Sequence, residues 1–280
     1  MKPILDVNEL PSLAQLENLV LVDARAGKDA KSNYEVKHLQ GAVYVDLDLQ
    51  LAHIDEDFSK GGRHPLPPLK QFSETLSALG ISEKSHVVIY DDKNASNAAA
   101  RLWWMLASIG HKNVQVLDGG FQAAEKVGFP MSSGMETVKK TPPYPVEKWM
   151  LSIADMAEVE KVSQDKDHLV IDVRDANRYH GETEPIDLVA GHIPGANNVP
   201  FTENLDEDGF FLSPETLKKK YEGILAGRKS NEVIVHCGSG VTACHTLLAM
   251  AHAGLEIPKL YVGSWSEWSR NNKPMVTKEN

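Results

Sequence analysis

The sequence predicts an α/β protein built from two tandem copies of one domain, each a parallel sheet with helices on both faces. Three observations predict this fold. Short apolar runs recur along the 280 residues, helical patterns lie between them, and the same motifs occur twice in the same order. Strands that alternate with helices form parallel sheets, because each helical crossover returns the chain to the same end of the sheet.

Four motifs of the first half return in the second half, each about 150 residues later. The pairs are 19–25 and 169–174, 38–42 and 192–196, 86–91 and 232–237, and 114–121 and 260–265. In the first pair, an apolar run ends in Asp-x-Arg, as a buried parallel strand does before it enters a loop. The repeated order predicts that both halves have the same topology.

Helices and a linker complete the predicted organisation. Segments 98–109 and 241–253 carry apolar residues at helical spacing, and each is followed by a glycine, a common residue at helix ends. Segment 132–148 is rich in proline and lacks this periodicity, which is typical of a linker. The sequence therefore predicts an N-terminal domain at 1–133, a linker at 134–149 and a C-terminal domain at 150–280.

Composition and charge argue against several classes of function. The net charge is −10 and no block of basic residues is present, so neither a nucleic acid nor an anionic membrane is an expected partner. The longest strongly apolar stretch, 102–107, is too short to span a membrane. Since no export signal is visible and the only cysteines are Cys237 and Cys244, we expect a cytoplasmic protein. The histidines lack metal-ligand spacing, so we expect neither a metal nor another cofactor.

Cys237 begins a loop, 237–243, between a predicted strand at 233–236 and the helix that follows. Open α/β sheets bind their ligands at the carboxyl ends of parallel strands, which is where this cysteine lies. Gly238 and Gly240 allow backbone N–H groups to turn toward the sulfur, and the helix N-terminus adds partial positive charge. Both effects favour the reactive thiolate. The alternative is a small buried cysteine in a glycine turn.

Two cysteine chemistries use such a loop. A cysteine phosphatase needs HCx5R, in which the arginine binds the phosphate, but Ala243 occupies that position here. In sulfur transfer, the thiolate takes a sulfur atom and becomes a persulfide, which backbone N–H groups can stabilise without an arginine. The loop therefore favours sulfur transfer.

The loop sequence CGSGVTA, the duplicated unit, GHIPGA at 191–196 and GSWSEW at 263–268 resemble the two-domain rhodanese family. Within that family they look most like the 3-mercaptopyruvate and thiosulfate sulfurtransferases, over nearly the whole chain. The resemblance implies two rhodanese-like domains of which only the C-terminal one is catalytic, since Asp91 takes the place of Cys237 in the first copy. It also implies a Cys237 persulfide that passes its sulfur to a thiol such as thioredoxin, or to cyanide.

The resemblance further implies roles for residues outside Cys237. Ser239 is expected to act with His64 and Asp48 as a proton relay, which would place the active site between the two domains. Arg178 is expected to bind the anionic group of the sulfur donor. The expected substrate-binding set also contains the loop residues Gly238, Gly240, Val241 and Thr242.

The chain departs from the family pattern in two places, and the preferred donor stays open. Mercaptopyruvate enzymes usually carry a second substrate arginine where this chain has Asp187, so we expect weak binding of that donor and an improved KM in Asp187→Arg. Thiosulfate-specific relatives usually carry basic residues where this loop has Gly238 and Ser239. The alternatives are a thiosulfate-preferring rhodanese and a non-catalytic sulfur-carrier or binding module.

Overall fold

The protein is described by a computed structural model that covers residues 1–278. The chain forms two compact units. The first comprises Met1–His53, Pro67–Met150 and Gly209–Phe211, and the second comprises Ile54–Leu66, Leu151–Asp208 and residues 212–278. The segment Ile54–Leu66 thus comes from the first half of the sequence but packs in the second unit, whereas the domain predicted at 1–133 was continuous.

The first unit contains seven strands: β1 (Ile4–Leu5), β2 (Leu19–Asp23), β3 (His38–Leu39), β4 (Val43–Tyr44), β5 (His86–Tyr90), β6 (Val114–Leu117) and β7 (Met131–Ser132). Five of them form a parallel sheet in the order β1-β6-β5-β2-β4, and β3 pairs with β7 in antiparallel fashion. Its helices are α1 (Leu10–Leu13), α2 (Ala30–Val36), α3 (Leu47–Gln50), α4 (Leu69–Ala78), α5 (Ala98–Ser108) and α6 (Gly120–Lys126), with a 3-10 turn at Val7–Glu9.

The second unit contains β8 (Ile153–Ala154), β9 (Leu169–Asp172), β10 (Asn197–Asn198), β11 (Val233–His236) and β12 (Lys259–Tyr261). Its helices are α7 (Met156–Val162), α8 (Ala176–Tyr179), α9 (Pro214–Leu225), α10 (Ala243–His252) and α11 (Ser264–Trp268), with 3-10 turns at Phe201–Asn204 and Ser230–Glu232. The parallel sheet has the order β8-β12-β11-β9-β10, the same topology as in the first unit. The predicted fold, two copies of an α/β unit, is confirmed.

The central strands and the helices after them follow the sequence patterns. Every residue of β5 and of β11 is buried, as expected for apolar strands in the middle of a covered parallel sheet. Helix α5 ends at Ser108, and Gly110 then adopts φ +82°, which glycine tolerates without strain. Helix α10 begins at Ala243, two residues later than predicted, because Val241 and Thr242 belong to the preceding loop.

The predicted linker, 134–149, contains no helix or strand and packs within the first unit. Tyr144 is buried, and its hydroxyl is 2.8 Å from Nδ1 of His111. The N–H of Met150 donates to the carbonyl of Ser108, at the end of α5. These contacts tie the segment to one unit. In the described part of the chain, no helix has both the length and the apolar character needed to cross a bilayer.

Candidate active site

Cys237 follows the last residue of β11, the central strand of the second sheet, and begins the loop to α10. Its side chain is buried, and the residue is only 2% exposed. The backbone N–H of Cys237 donates to Oγ of Ser264 at 3.2 Å, and its carbonyl accepts from the N–H of Trp265 at 3.0 Å. Helix α11 therefore fixes the backbone on both sides of the candidate nucleophile.

Gly240 makes the sharp turn of the loop. Its φ is +73°, and a Cβ at this position would overlap the carbonyl oxygen of Val262. A residue with a side chain would therefore be both strained and sterically excluded. The thiol of the fully buried Cys244, on α10, donates to the carbonyl of Gly240 at 3.4 Å. The second cysteine thus stabilises the loop through a hydrogen bond to its backbone.

Ser239 lies next to a histidine from the inserted segment Ile54–Leu66. Its Oγ is 2.8 Å from Nδ1 of His64, so the two residues form the hydrogen bond that the predicted proton relay needs. Asp48, the third predicted member, lies in α3 of the first unit, and its part in the relay stays a prediction.

The inserted segment is held in place by two side chains of α11. The N–H of Gly61 donates to Oε1 of Glu267 at 2.8 Å, and the N–H of Arg63 donates to Oγ of Ser266 at 3.1 Å. Glu267 also accepts a hydrogen bond from the hydroxyl of Tyr261, at the end of β12. Because α11 also fixes Cys237, the same helix sets the positions of both the loop and the segment that carries His64.

Two guanidinium groups lie close to the Cα atom of Gly238. A Cβ on Gly238 would be 3.0 Å from Nη2 of Arg63 and 3.4 Å from Nη2 of Arg178. The absence of a side chain at this position therefore leaves room for two cations next to Cys237. The sequence had indicated Arg178 but not Arg63. Arg63 directly precedes His64 in the chain, which is the one signal that could have identified it.

Asp187 contacts three arginines. Its Oδ1 is 3.2 Å from Nε of Arg63 and 3.1 Å from Nη1 of Arg270, and its Oδ2 is 3.5 Å from Nη2 of Arg178. The carboxylate is completely buried, whereas the three arginine side chains are between 14% and 18% exposed. Asp187 therefore brings cations together, an arrangement that the sequence alone did not indicate.

Glu184 orients Arg178 from the other side. Its Oε1 is 2.7 Å from Nη2 of Arg178, and its Oε2 is 3.1 Å from Nε, so the pairing is bidentate. Burial would raise the pKa of Glu184, but hydrogen bonds from Arg178 and from backbone N–H groups lower it below its usual value. Glu184 is therefore ionised at neutral pH. The arginine cluster consists of Arg63, Arg178 and Arg270, paired with the carboxylates Asp187 and Glu184.

A buried ion pair lies at the carboxyl end of β9, the strand next to β11. Arg174 donates to Asp172, the last residue of β9, at 2.6 Å, and to the carbonyl of Gly191 at 2.6 Å. Burial lowers the pKa of Arg174, but the hydrogen bonds to Asp172 and the negative charges of Asp172 and Glu184 outweigh it and the pKa is raised. Arg174 therefore stays charged at neutral pH.

In the equivalent loop of the first unit, after β5, backbone N–H groups surround the carboxylate of Asp91. The buried carboxylate of Asp91, after β5, accepts hydrogen bonds of 2.9 to 3.4 Å from the backbone N–H groups of Lys93, Ala95, Asn97 and Ala99. Burial raises the pKa of Asp91 to about 6, although the backbone donors lower it. Since β5 and β11 hold the same place in their sheets, the Asp91 loop illustrates how this fold can surround an anion with N–H donors.

Asp91→Asn is expected to lower the free energy of unfolding by about 1–3 kcal/mol at pH 8, because the amide –NH₂ would face backbone donors that then lack an acceptor. Relief from burying an ionised carboxylate, whose pKa is raised, offsets part of this loss. Urea unfolding followed by fluorescence measures the change. Asp29→Asn is the matched control, since Asp29 is exposed and its side chain does not cap α2. Equal stability of Asp91→Asn and the control would show that the N–H donors do not depend on the carboxylate.

Comparisons with known proteins agree with this architecture. The family model described as "Rhodanese-like domain" matches residues 6–126 and 155–271. A protein of Pseudomonas aeruginosa, "Probable 3-mercaptopyruvate sulfurtransferase", is 37% identical over 282 residues, which cover 98% of each chain. "Thiosulfate sulfurtransferase" of Rattus norvegicus is 36% identical, over 88% of this chain and 82% of its own. The structure of 3-mercaptopyruvate sulfurtransferase from Leishmania major superposes with a TM-score of 0.79 at 30% identity, over 96% of this chain and 75% of its own.

Proposed function

Since the chain belongs to the rhodanese family of sulfurtransferases and carries the rhodanese domain twice, we propose that it moves a sulfur atom from 3-mercaptopyruvate, through a persulfide on Cys237, to a thiol or to cyanide. The observation that carries this proposal is the 2.8 Å contact between Ser239 and His64, in the loop that begins at the buried Cys237. It places a group able to transfer a proton two residues from the nucleophile.

The proposed reaction has two steps. The Cys237 thiolate attacks the donor sulfur, the carbon–sulfur bond breaks, and its electron pair leaves with pyruvate as the enolate. The proton of the donor thiol passes through Ser239 and His64 to the enolate carbon, which gives pyruvate and a Cys237 persulfide. An acceptor thiolate, or cyanide, then attacks the outer sulfur, and the Cys237 thiolate is regenerated.

Thiosulfate is the second candidate donor, because a relative named for it is 36% identical to this chain. When the Cys237 thiolate takes the outer sulfur of thiosulfate, the sulfur–sulfur bond breaks and its electron pair leaves with sulfite. No carbon has to be protonated, so a Ser–His pair would bring this donor no advantage. With 3-mercaptopyruvate the leaving group is the enolate of pyruvate, which needs a proton at carbon. The pair therefore favours 3-mercaptopyruvate.

The proposal predicts that kcat/KM for 3-mercaptopyruvate exceeds that for thiosulfate by about a hundredfold or more, the usual contribution of a positioned proton donor. Both values are measured with cyanide as the acceptor, from thiocyanate formation. The reverse order would identify a thiosulfate-preferring rhodanese instead. Absence of thiocyanate with both donors would favour a sulfur-carrier or binding module.

The acceptor and the compartment are also part of the proposal. Both cysteines are free and buried, and a free reactive thiol is best preserved in a reducing compartment such as the cytoplasm. A small thiol protein such as thioredoxin would there be an available acceptor. The proposed reaction uses the Cys237 thiolate, the Ser239–His64 pair and the two substrates.

A further inference from the structure

We propose that Arg63 is the second cation of the donor-binding site, together with Arg178, and that Asp187 positions both. This inference rests on the proposed function, because it assigns the groups that hold the donor carboxylate. It differs from the expectation drawn from the sequence, in which Asp187 meant that one of two substrate cations had been lost.

The two guanidinium groups converge on one point next to the nucleophile. Both Nη2 atoms lie within 3.4 Å of the position that a Cβ on Gly238 would take, and Gly238 is bonded to Cys237. A donor whose sulfur reaches Cys237 would therefore bring its carboxylate, a few bonds away, close to both cations. The third nearest atom to that Cβ position is Oδ2 of Asp187, at 3.7 Å, which contacts both Nη2 atoms.

Each guanidinium is fixed along one edge and open along another. Arg63 uses Nε and Nη2 to contact Asp187, and Arg178 uses Nε and Nη2 to contact Glu184. Within residues 1–278, neither Nη1 atom forms a hydrogen bond or an ion pair. A guanidinium carries five N–H donors in a planar fork, so each still has donors for a carboxylate.

The charge of the cluster also fits an anionic ligand. Three arginines share the two carboxylates Asp187 and Glu184, which leaves an excess of one positive charge. The third arginine, Arg270, is tied to the carbonyl of Ser266 at 2.8 Å and so anchors Asp187 to α11. The donor carboxylate would neutralise the remaining charge. Asp187 is thus a positioning residue, because it holds the cations without binding the donor itself.

Arg63→Gln is expected to raise KM for 3-mercaptopyruvate about tenfold to a hundredfold, since a charge-assisted hydrogen bond is lost. We expect kcat to change less than about threefold, because the Ser239–His64 pair remains. Asp187→Arg is expected to raise KM as well, since it adds a cation where three arginines meet. The matched control is Lys60→Gln, which removes a cation of the same segment that is 73% exposed.

A second readout does not depend on sulfur transfer. Iodoacetate and iodoacetamide both alkylate a thiolate with loss of iodide, but only iodoacetate carries a carboxylate. In the wild type the cluster should favour iodoacetate at Cys237, and Arg63→Gln should lower the iodoacetate-to-iodoacetamide rate ratio about tenfold. Fragmentation mass spectrometry assigns the alkylation to Cys237 rather than Cys244.

These outcomes separate the two proposals. Normal turnover with unchanged KM and an unchanged alkylation ratio in Arg63→Gln would overturn the role of Arg63 and leave the proposed function intact. A lowered alkylation ratio in a protein that transfers no sulfur would support the anion site and contradict the proposed function. A fall in KM for Asp187→Arg would restore the interpretation made from the sequence and exclude the positioning role of Asp187.

Discussion

Cys237→Ser is expected to abolish sulfur transfer, with a loss in kcat/KM of at least about a thousandfold for every donor, because the hydroxyl cannot carry the sulfur atom. Thiocyanate formation measures the loss. After treatment with a donor and no acceptor, mass spectrometry of the wild type should show one added sulfur atom, and fragmentation should place it on Cys237.

Cys244→Ser is the matched control for this experiment. Cys244 lies on α10 with its thiol against the carbonyl of Gly240, a contact that a serine hydroxyl can also make. We therefore expect the Cys244→Ser variant to keep most of the activity and to form the persulfide. Comparable losses in the two variants would contradict a single sulfur-accepting residue.

His64→Ala is expected to reduce kcat for 3-mercaptopyruvate about a hundredfold to a thousandfold, because the proton path to the enolate ends at Ser239. Thiosulfate turnover should change far less, since sulfite leaves without a proton at carbon. Steady-state kinetics with both donors measure the difference, and Ser239→Ala should reproduce it.

The exposed His53 provides the control, since His53→Ala removes a histidine of the first unit that is not predicted to take part. Its kinetic constants should match the wild type. If His64→Ala instead slowed both donors equally, the histidine would only support the loop, and the preference for 3-mercaptopyruvate would lose its physical basis.

The features that local patterns determine could be predicted from the sequence. The strand 233–236 was predicted from its apolar residues, and Cys237 from the glycine loop and helix after it. The duplication was visible because each half repeats the same motifs, and both sheets have the same strand order. Helix α10 begins two residues later than predicted, because Val241 and Thr242 belong to the loop that follows Cys237. The spacing of apolar residues does not show where that loop ends.

The features that depend on distant contacts could not be predicted in this way. Asp187 was treated as a lost cation, because its partner Arg63 lies 124 positions earlier in the chain and nothing in the spacing connects them. Arg270, which lies 83 positions after Asp187, was missed for the same reason. Glu184 is only six positions from Arg178, and its pairing with that arginine was missed although it is local. Ser239 and His64 were paired only through the family resemblance, since 175 positions separate them. An ion-pair cluster assembled from three segments leaves no periodic signal in any one of them.

The inserted segment Ile54–Leu66 also has a consequence for biosynthesis. Gly61 and its partner Glu267 are 206 positions apart, so a ribosome that adds 5–20 residues per second makes the partner about 10–40 s later. During that interval the segment has to remain solvated. Its composition favours solvation over aggregation, because five of its thirteen residues are charged: Asp55, Glu56, Asp57, Lys60 and Arg63. The nascent first unit must therefore fold without packing this segment. The second unit reaches its final form only after the segment has bound to Ser266 and Glu267 of α11.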